Sequence, residues 1–140
     1  MTLALLMFVN LSACNDSKKT IAFDQLPQTA QTFVKTFFAD KQIAVIFVAT
    51  SGRDEYKVLF ADGASIEFTS QGDWEEAKDR DADGLPTHFM PTSMVAYVAT
   101  TFPGTSIVKV SKERSKFDVE LSNGVELEFD KAGSFLRFDD

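Results

Sequence analysis

Two stretches of this chain follow the same pattern, and that self-similarity limits the available folds more than any single motif does. Leu26-Pro27 precedes Phe33, Val34, Phe37 and Phe38, while Met90-Pro91 precedes Met94, Tyr97, Val98 and Phe102. Pro27/Pro91, Phe33/Tyr97, Val34/Val98, Phe38/Phe102 and Ile43/Ile107 all stand 64 residues apart. Proline suits a first helical turn, where its missing N–H has no helical partner. The apolar spacing fits one buried helix face. Further along the offset becomes 61: Tyr56, Val58 and Phe60 match Phe117, Val119 and Leu121, and Gly72 and Trp74 match Gly133 and Phe135. The pattern predicts two units, each of one helix and four strands. A unit of under ~60 residues buries too little surface to be easily stable alone, so the two should share a sheet or pack edge to edge.

Alternation fixes the register. Phe117, Val119, Leu121, Val125, Leu127 and Phe129 must face the helix, and directly opposed residues lie on one face. A two-residue Asn-Gly loop would oppose Leu121 to Glu126, on the wrong face. A three-residue loop, Ser122-Asn123-Gly124, instead opposes 121 to 125, 119 to 127 and 117 to 129, with Gly124 left-handed. The same logic applied to Ala61-Asp62-Gly63 opposes 60 to 64, 58 to 66 and 56 to 68. Further three-residue loops at Ser70-Gln71-Gly72 and Lys131-Ala132-Gly133 would set Phe68 against Trp74 and Phe129 against Phe135. These aromatic pairs are the expected core, and the high count of 14 Phe points to aromatic-rich packing.

The whole pattern (Leu-Pro, helix, Tyr-x-Val-x-Phe-x-Asp-Gly-x-x-Ile-Glu-Phe-x-x-x-Gly-x-Trp, then again) resembles the β-lactamase-inhibitor-like, PepSY-like family. The resemblance runs from about Phe23 to Asp140. Proteins of that family are secreted or lipid-anchored and common in Bacteroidetes. The resemblance implies an α+β fold of two tandem helix-plus-antiparallel-sheet repeats, with helices on one sheet face and the other face open. In β-lactamase inhibitor protein the open concave face grips an enzyme. This chain lacks the paired cysteines of that inhibitor, which argues against direct inhibition of a β-lactamase.

The derived register also says what the open face carries. In the second unit these are Asp118, Glu120, Glu126 and Glu128, with Asp118 opposite Glu128 and Glu120 opposite Glu126. Like charges directly opposed cost a few tenths to ~1 kcal/mol per pair. In the first unit Lys57 opposes Glu67, a favourable pair, beside Leu59 and Ser65, and the apolar run Ile43–Ala49 should turn Phe47 outward. These eight residues (Phe47, Lys57, Leu59, Glu67, Asp118, Glu120, Glu126 and Glu128) are the candidates for binding a protein or peptide partner, a basic one on the acidic half. The alternative is a solvated face whose charge Lys109 and Lys112 offset from the neighbouring strand.

Between the units, Asp79-Arg80-Asp81-Ala82-Asp83-Gly84 copies the opening of an EF-hand calcium loop. The rest departs from it, since Met90 replaces the closing bidentate Glu and Pro86 interrupts the loop. Asp79, Asp81 and Asp83 are the metal candidates if calcium binds, and the sequence calls for no other cofactor. The alternative is a polar linker.

At the N-terminus, Leu3–Val9 is an apolar run too short to span a bilayer but suited to a secretion signal. Leu11-Ser12-Ala13-Cys14 resembles a bacterial lipobox, and Cys14 is the chain's single cysteine. No basic residue precedes the apolar run. The expected organisation is a signal peptide over 1–13, a tether over 14–22, the first unit over 23–78, the acidic linker over 79–84 and the second unit over 85–140. Lipidation at Cys14 would place the protein in the periplasm or cell envelope, with the outer membrane expected, and would be its only membrane contact.

Composition excludes other classes. With 44% hydrophobic and 25% charged residues the chain is not disordered. A net charge of −7 without a basic stripe argues against nucleic acid. One Cys and one His exclude a disulfide framework and a multi-histidine zinc site. His88 has no marked nucleophile beside it, and no carboxylate pair sits where a pocket would raise its pKa. The sequence therefore reads as a non-enzymatic envelope module that binds through its open sheet face, with a calcium- or cation-binding envelope protein as the alternative.

Overall fold

The structure, a computed structural model, describes residues 18–50, 55–79, 81 and 83–139. The signal run, Cys14 and the start of the tether lie outside the described residues, and the rest of the expected tether is no tether: Lys18–Ile21 joins the sheet as a strand because Ile21 packs against the core. The strands are β1 (Lys18–Ile21), β2 (Ile43–Ala49), β3 (Glu55–Phe60), β4 (Ser65–Phe68), β5 (Trp74–Lys78), β6 (Ile107–Lys112), β7 (Lys116–Leu121), β8 (Glu126–Asp130) and β9 (Phe135–Phe138). Helix α1 (Gln28–Phe37) precedes β2, and α2 (Thr92–Thr101) precedes β6. The nine strands form one antiparallel sheet whose order in space is their order in sequence. It is an α+β fold.

Each helix begins directly after a proline. Pro27 and Pro91 have φ of −52° and −54°, within the range the pyrrolidine ring imposes, so the chain enters the helix pre-set. Both prolines stand at the cap rather than inside the first turn. Ala30, Val34 and Phe38 recur every fourth residue on α1, and Met94, Val98 and Phe102 do so on α2; all but the half-buried Phe102 are buried. Pro103-Gly104 follows Phe102 and cannot continue the helix.

The hairpins obey the facing rule. Val119 pairs with Leu127, Phe117 with Phe129, Val58 with Ile66 and Tyr56 with Phe68. Asp62 and Asn123 shape their turns alike: each side-chain oxygen accepts the N–H two residues on, from Ala64 at 2.9 Å and Val125 at 3.0 Å. Gly124 has φ +84°, the left-handed value the three-residue loop requires. Phe68 faces Trp74 and Phe129 faces Phe135, each beside a β-bulge. The bulges between β2 and β3 and between β6 and β7 also fall at matching places, Ile43/Val45 and Ile107/Lys109.

Both helices cover the same sheet face. Phe33 meets Phe68 edge-on at 5.6 Å, and Tyr97 meets Phe129 edge-on at 5.5 Å. Phe38 stacks on Phe60 at 5.2 Å. Phe89, from the connection between β5 and α2, wedges against Phe33, Phe37 and Trp74. Trp74 in turn stacks on Phe117 at 6.2 Å, so one core runs beneath both helices. Each fully buried Phe contributes roughly 1.5–3 kcal/mol of transfer free energy, which explains why the chain spends so many of them on this layer.

Candidate binding face

Strands covered on one side turn every second residue to the other. That opposite face carries Phe47 beside Lys57, Lys57 opposite Glu67, Leu59 opposite Ser65, Asp118 opposite Glu128, and Glu120 opposite Glu126. Two shallow depressions lie on it among the described residues. One, of about 230 Å³, is bordered by Phe47, Lys57 and Glu67, with Lys57 and Glu67 paired at 3.3 Å. The other, of about 210 Å³, is bordered by Lys109, Glu113, Asp118, Glu120, Glu126 and Asp139. Enclosed small-molecule sites run to ~300–1,000 Å³, and these hollows are smaller and open.

Of the lysines expected to offset the acidic half, Lys109 borders it and Lys112 does not. Lys109 is the cross-strand neighbour of Glu120, but its Nζ reaches across to Glu76 at 3.4 Å. Lys112, three residues on, falls on the helix face, with Nζ 4.2 Å from the Trp74 ring. Burial there lowers its pKa, against the pull of Asp73 and Glu75. Among the described residues no ion pair reaches Glu120 or Glu126.

Glu128 departs from the expectation of an accessible partner contact. It points to the open face yet is only 5% exposed, because Lys116 and Arg137 close over it, one on each oxygen. Those hydrogen bonds hold its carboxyl below the usual range. The bulge between β8 and β9 is the cause: one extra residue in β9 brings Arg137, not Leu136, opposite Glu128. Asp118 is left with the weaker share of Lys116, at 3.5 Å, and its Oδ1 is sealed from water without a hydrogen bond. Burial, and then Glu113, push the Asp118 pKa upward against Lys116.

The acidic linker lies at a different place. Asp79 is buried, 5% exposed, and its Oδ1 accepts the Asp81 N–H at 3.0 Å. Asp62, from the β3–β4 turn, joins them: Asp62, Asp79 and Asp81 can each offer an oxygen within 4.8 Å of the others. Asp83 borders the same hollow without joining that trio. Lys41 stands among these carboxylates, bonded to Asp62 and 3.7 Å from Asp79 Oδ2. Desolvation pulls the Lys41 pKa down, but Asp62, Asp79 and Asp40 outweigh it and leave it raised. Sequence reasoning found three of these aspartates and missed Asp62 and Lys41, which the fold brings in from 17 or more residues away.

The arrangement defines a class: an open antiparallel sheet, buttressed by helices on one side and presenting a shallow charged face on the other. The chain belongs to the β-lactamase-inhibitor-like, PepSY-like family, whose model matches residues 54–137. A Bacteroides vulgatus protein of the DUF2874 family, assigned to the periplasm, is 34% identical with a TM-score of 0.81, over 90% of this chain and 99% of that one. A Bacteroides thetaiotaomicron protein, assigned to the periplasm with calcium regulation suggested in its name, is 30% identical with a TM-score of 0.81, over 88% of this chain and 97% of that one. A second B. vulgatus protein assigned to the periplasm, of unknown function, is 28% identical with a TM-score of 0.80, over 88% and 99%. Curated proteins give no match. No helix among the described residues is long and apolar enough to cross a membrane.

Proposed function

We propose that the chain is a non-enzymatic envelope module, tethered by a lipid on Cys14, that holds a protein or peptide partner on its open sheet face. The acidic half receives a basic segment, and Phe47 and Leu59 offer apolar contact on the other half. One observation carries the reading: Glu120 opposes Glu126 across β7 and β8 while the neighbouring Lys109 is turned to Glu76. Such a pair, bridged by no ion pair among the described residues, costs stability that an arriving cation would recover. Periplasmic neighbours support the location. The matched helix starts, bulges and aromatic pairs support descent from two tandem repeats. Crosslinking in native envelopes followed by mass spectrometry tests the proposal. Capture of a partner that Glu120→Lys with Glu126→Lys weakens is expected, and unchanged capture would exclude the acidic face. An unmodified Cys14 in the soluble fraction would remove the anchor.

A second reading, a calcium-responsive protein, is favoured by the convergence of Asp62, Asp79 and Asp81 and by the name of the B. thetaiotaomicron neighbour. Calcium takes six to eight oxygens, so water or backbone carbonyls would complete the set, and Lys41 would have to swing aside. Calorimetry on the wild type and Asp81→Ala decides. Heat with the wild type at about millimolar calcium, lost in the variant, supports it; no heat removes it.

A further inference from the structure

Strand β2 carries no polar side chain over Ile43–Ala49, the composition of a strand covered on both faces. The helix side buries Ile46 and Val48. Val45, Phe47 and Ala49 alternate with them onto the open face, stay partly exposed and do not join the core. β6, which follows α2 as β2 follows α1, places Lys109 and Ser111 at the corresponding positions. The apolar strip is therefore a property of the first unit and not of the helix–strand arrangement itself. Lysines flank it. Lys18 pairs with Ala49 from β1, Lys57 pairs with Phe47 from β3, and both border the hollow around Phe47.

We infer that this strip rests on the surface of the phospholipid bilayer that holds the chain's own lipid. This depends on the anchor proposed at Cys14 and refines that reading: the hollow around Phe47 goes to lipid, and the acidic half stays with the protein partner. Chain length selects the bilayer as occupant. Asn15, Asp16 and Ser17 alone separate Cys14 from Lys18, the first residue of β1. Fully extended, the steps from Cys14 to Lys18 span at most ~14 Å. Lys18 itself borders the hollow, so the head groups around Cys14 lie within its reach. The chemistry fits that layer. Apolar side chains enter the boundary between head groups and acyl chains, while lysine stems lie along it and carry their ammonium groups to phosphate. Glu55 and Glu67, on the same border, face the ammonium of ethanolamine head groups, and Glu67 already holds Lys57 at 3.3 Å. Adjacent strands rotate by roughly 20–25°, so β7, five strands on from β2, turns its acidic half by about 100° from the strip, away from the bilayer.

Photo-crosslinking in envelopes of cells that express the full chain tests this. p-Benzoylphenylalanine replaces Thr20, which pairs with Phe47 from β1, or, separately, Phe47 itself, with Thr100 on the exposed side of α2 as the control. Mass spectrometry then reads both the lipid on Cys14 and the crosslinked product. Phospholipid adducts at Thr20 and Phe47 should exceed those at Thr100 by at least ~5-fold, and Lys18→Glu with Lys57→Glu should lower them by at least ~5-fold. With Cys14 lipidated, three results overturn the inference and leave the anchor standing: phospholipid adducts no more frequent at Thr20 and Phe47 than at Thr100, adducts unaffected by the lysine variant, or adducts there to a protein or a second copy instead. A Cys14 without lipid overturns both.

Discussion

Gly72 backs directly onto Pro27: a methyl group on Gly72 would lie 2.8 Å from the Pro27 Cβ and 3.0 Å from the Ala30 nitrogen. Gly133 does the same to Pro91, at 2.7 Å, and to the Met94 nitrogen, at 3.1 Å. In each case a hairpin turn is pressed against the start of a helix, and both glycines have φ near +90°. The β4–β5 and β8–β9 turns thus set how each helix sits on the sheet.

Alanine at either glycine meets backbone that cannot step aside and adopts a φ that side chains disfavour. Gly72→Ala and Gly133→Ala should each cost about 2–4 kcal/mol in urea unfolding. Gly124→Ala, with φ +84° but open space around it, should cost only ~1 kcal/mol. Equal losses at all three would mean that the turn–helix contact carries no weight.

Acid should act on Glu128 and Asp118 in opposite directions. Glu128 is held below its ordinary 4.5 by Lys116 and Arg137, so its contribution is complete above that value and is lost as pH falls through the lowered one. Asp118 is raised above its ordinary 3.8, so its ionisation is a cost that is full above the raised value and vanishes below 3.8. Thermal melts should show Glu128→Gln less stable than wild type at pH 7 and Asp118→Asn more stable, with both differences shrinking toward pH 2. A destabilised Asp118→Asn at pH 7 would contradict this.

Lys41 compensates a buried carboxylate. Lys41→Met should cost about 2–3 kcal/mol, since Asp79 would keep its burial and lose its partner. If the calcium reading holds, millimolar calcium should raise the Tm of Lys41→Met more than that of the wild type. Equal Tm values with and without calcium in both proteins would leave the lysine as the site's permanent cation.

Aromatic truncation separates the core from the rim. Phe68→Ala and Phe129→Ala, at fully buried positions, should each lose about 3–5 kcal/mol. Phe138→Ala, exposed and touching Phe102 and Phe135 from the rim, should lose ~1 kcal/mol or less.

Much of the sheet was legible because side-chain alternation has a period of two. Requiring Val119 and Leu127 on one face forced a three-residue loop, and the opposition of Glu120 to Glu126 followed without coordinates. Bulges broke that arithmetic. The extra residue in β9 exchanged Leu136 for Arg137 opposite Glu128 and turned an expected contact residue into a buried one. The misplaced Lys112 was avoidable, since residues 109 and 112 differ by an odd number and cannot share a face of a regular strand. Lys41 and Asp62 were not legible, because each sits in a separate turn and only the folded sheet brings them to Asp79.

Because strand order in space is strand order along the chain, every strand pairs with the strand made just before it, six times across a short turn and twice across a helix. No strand waits for a distant mate, so the entropy spent on loop closure stays small at each step. A polypeptide emerging N-terminus first from a narrow pore could add this sheet strand by strand, always onto the same growing edge.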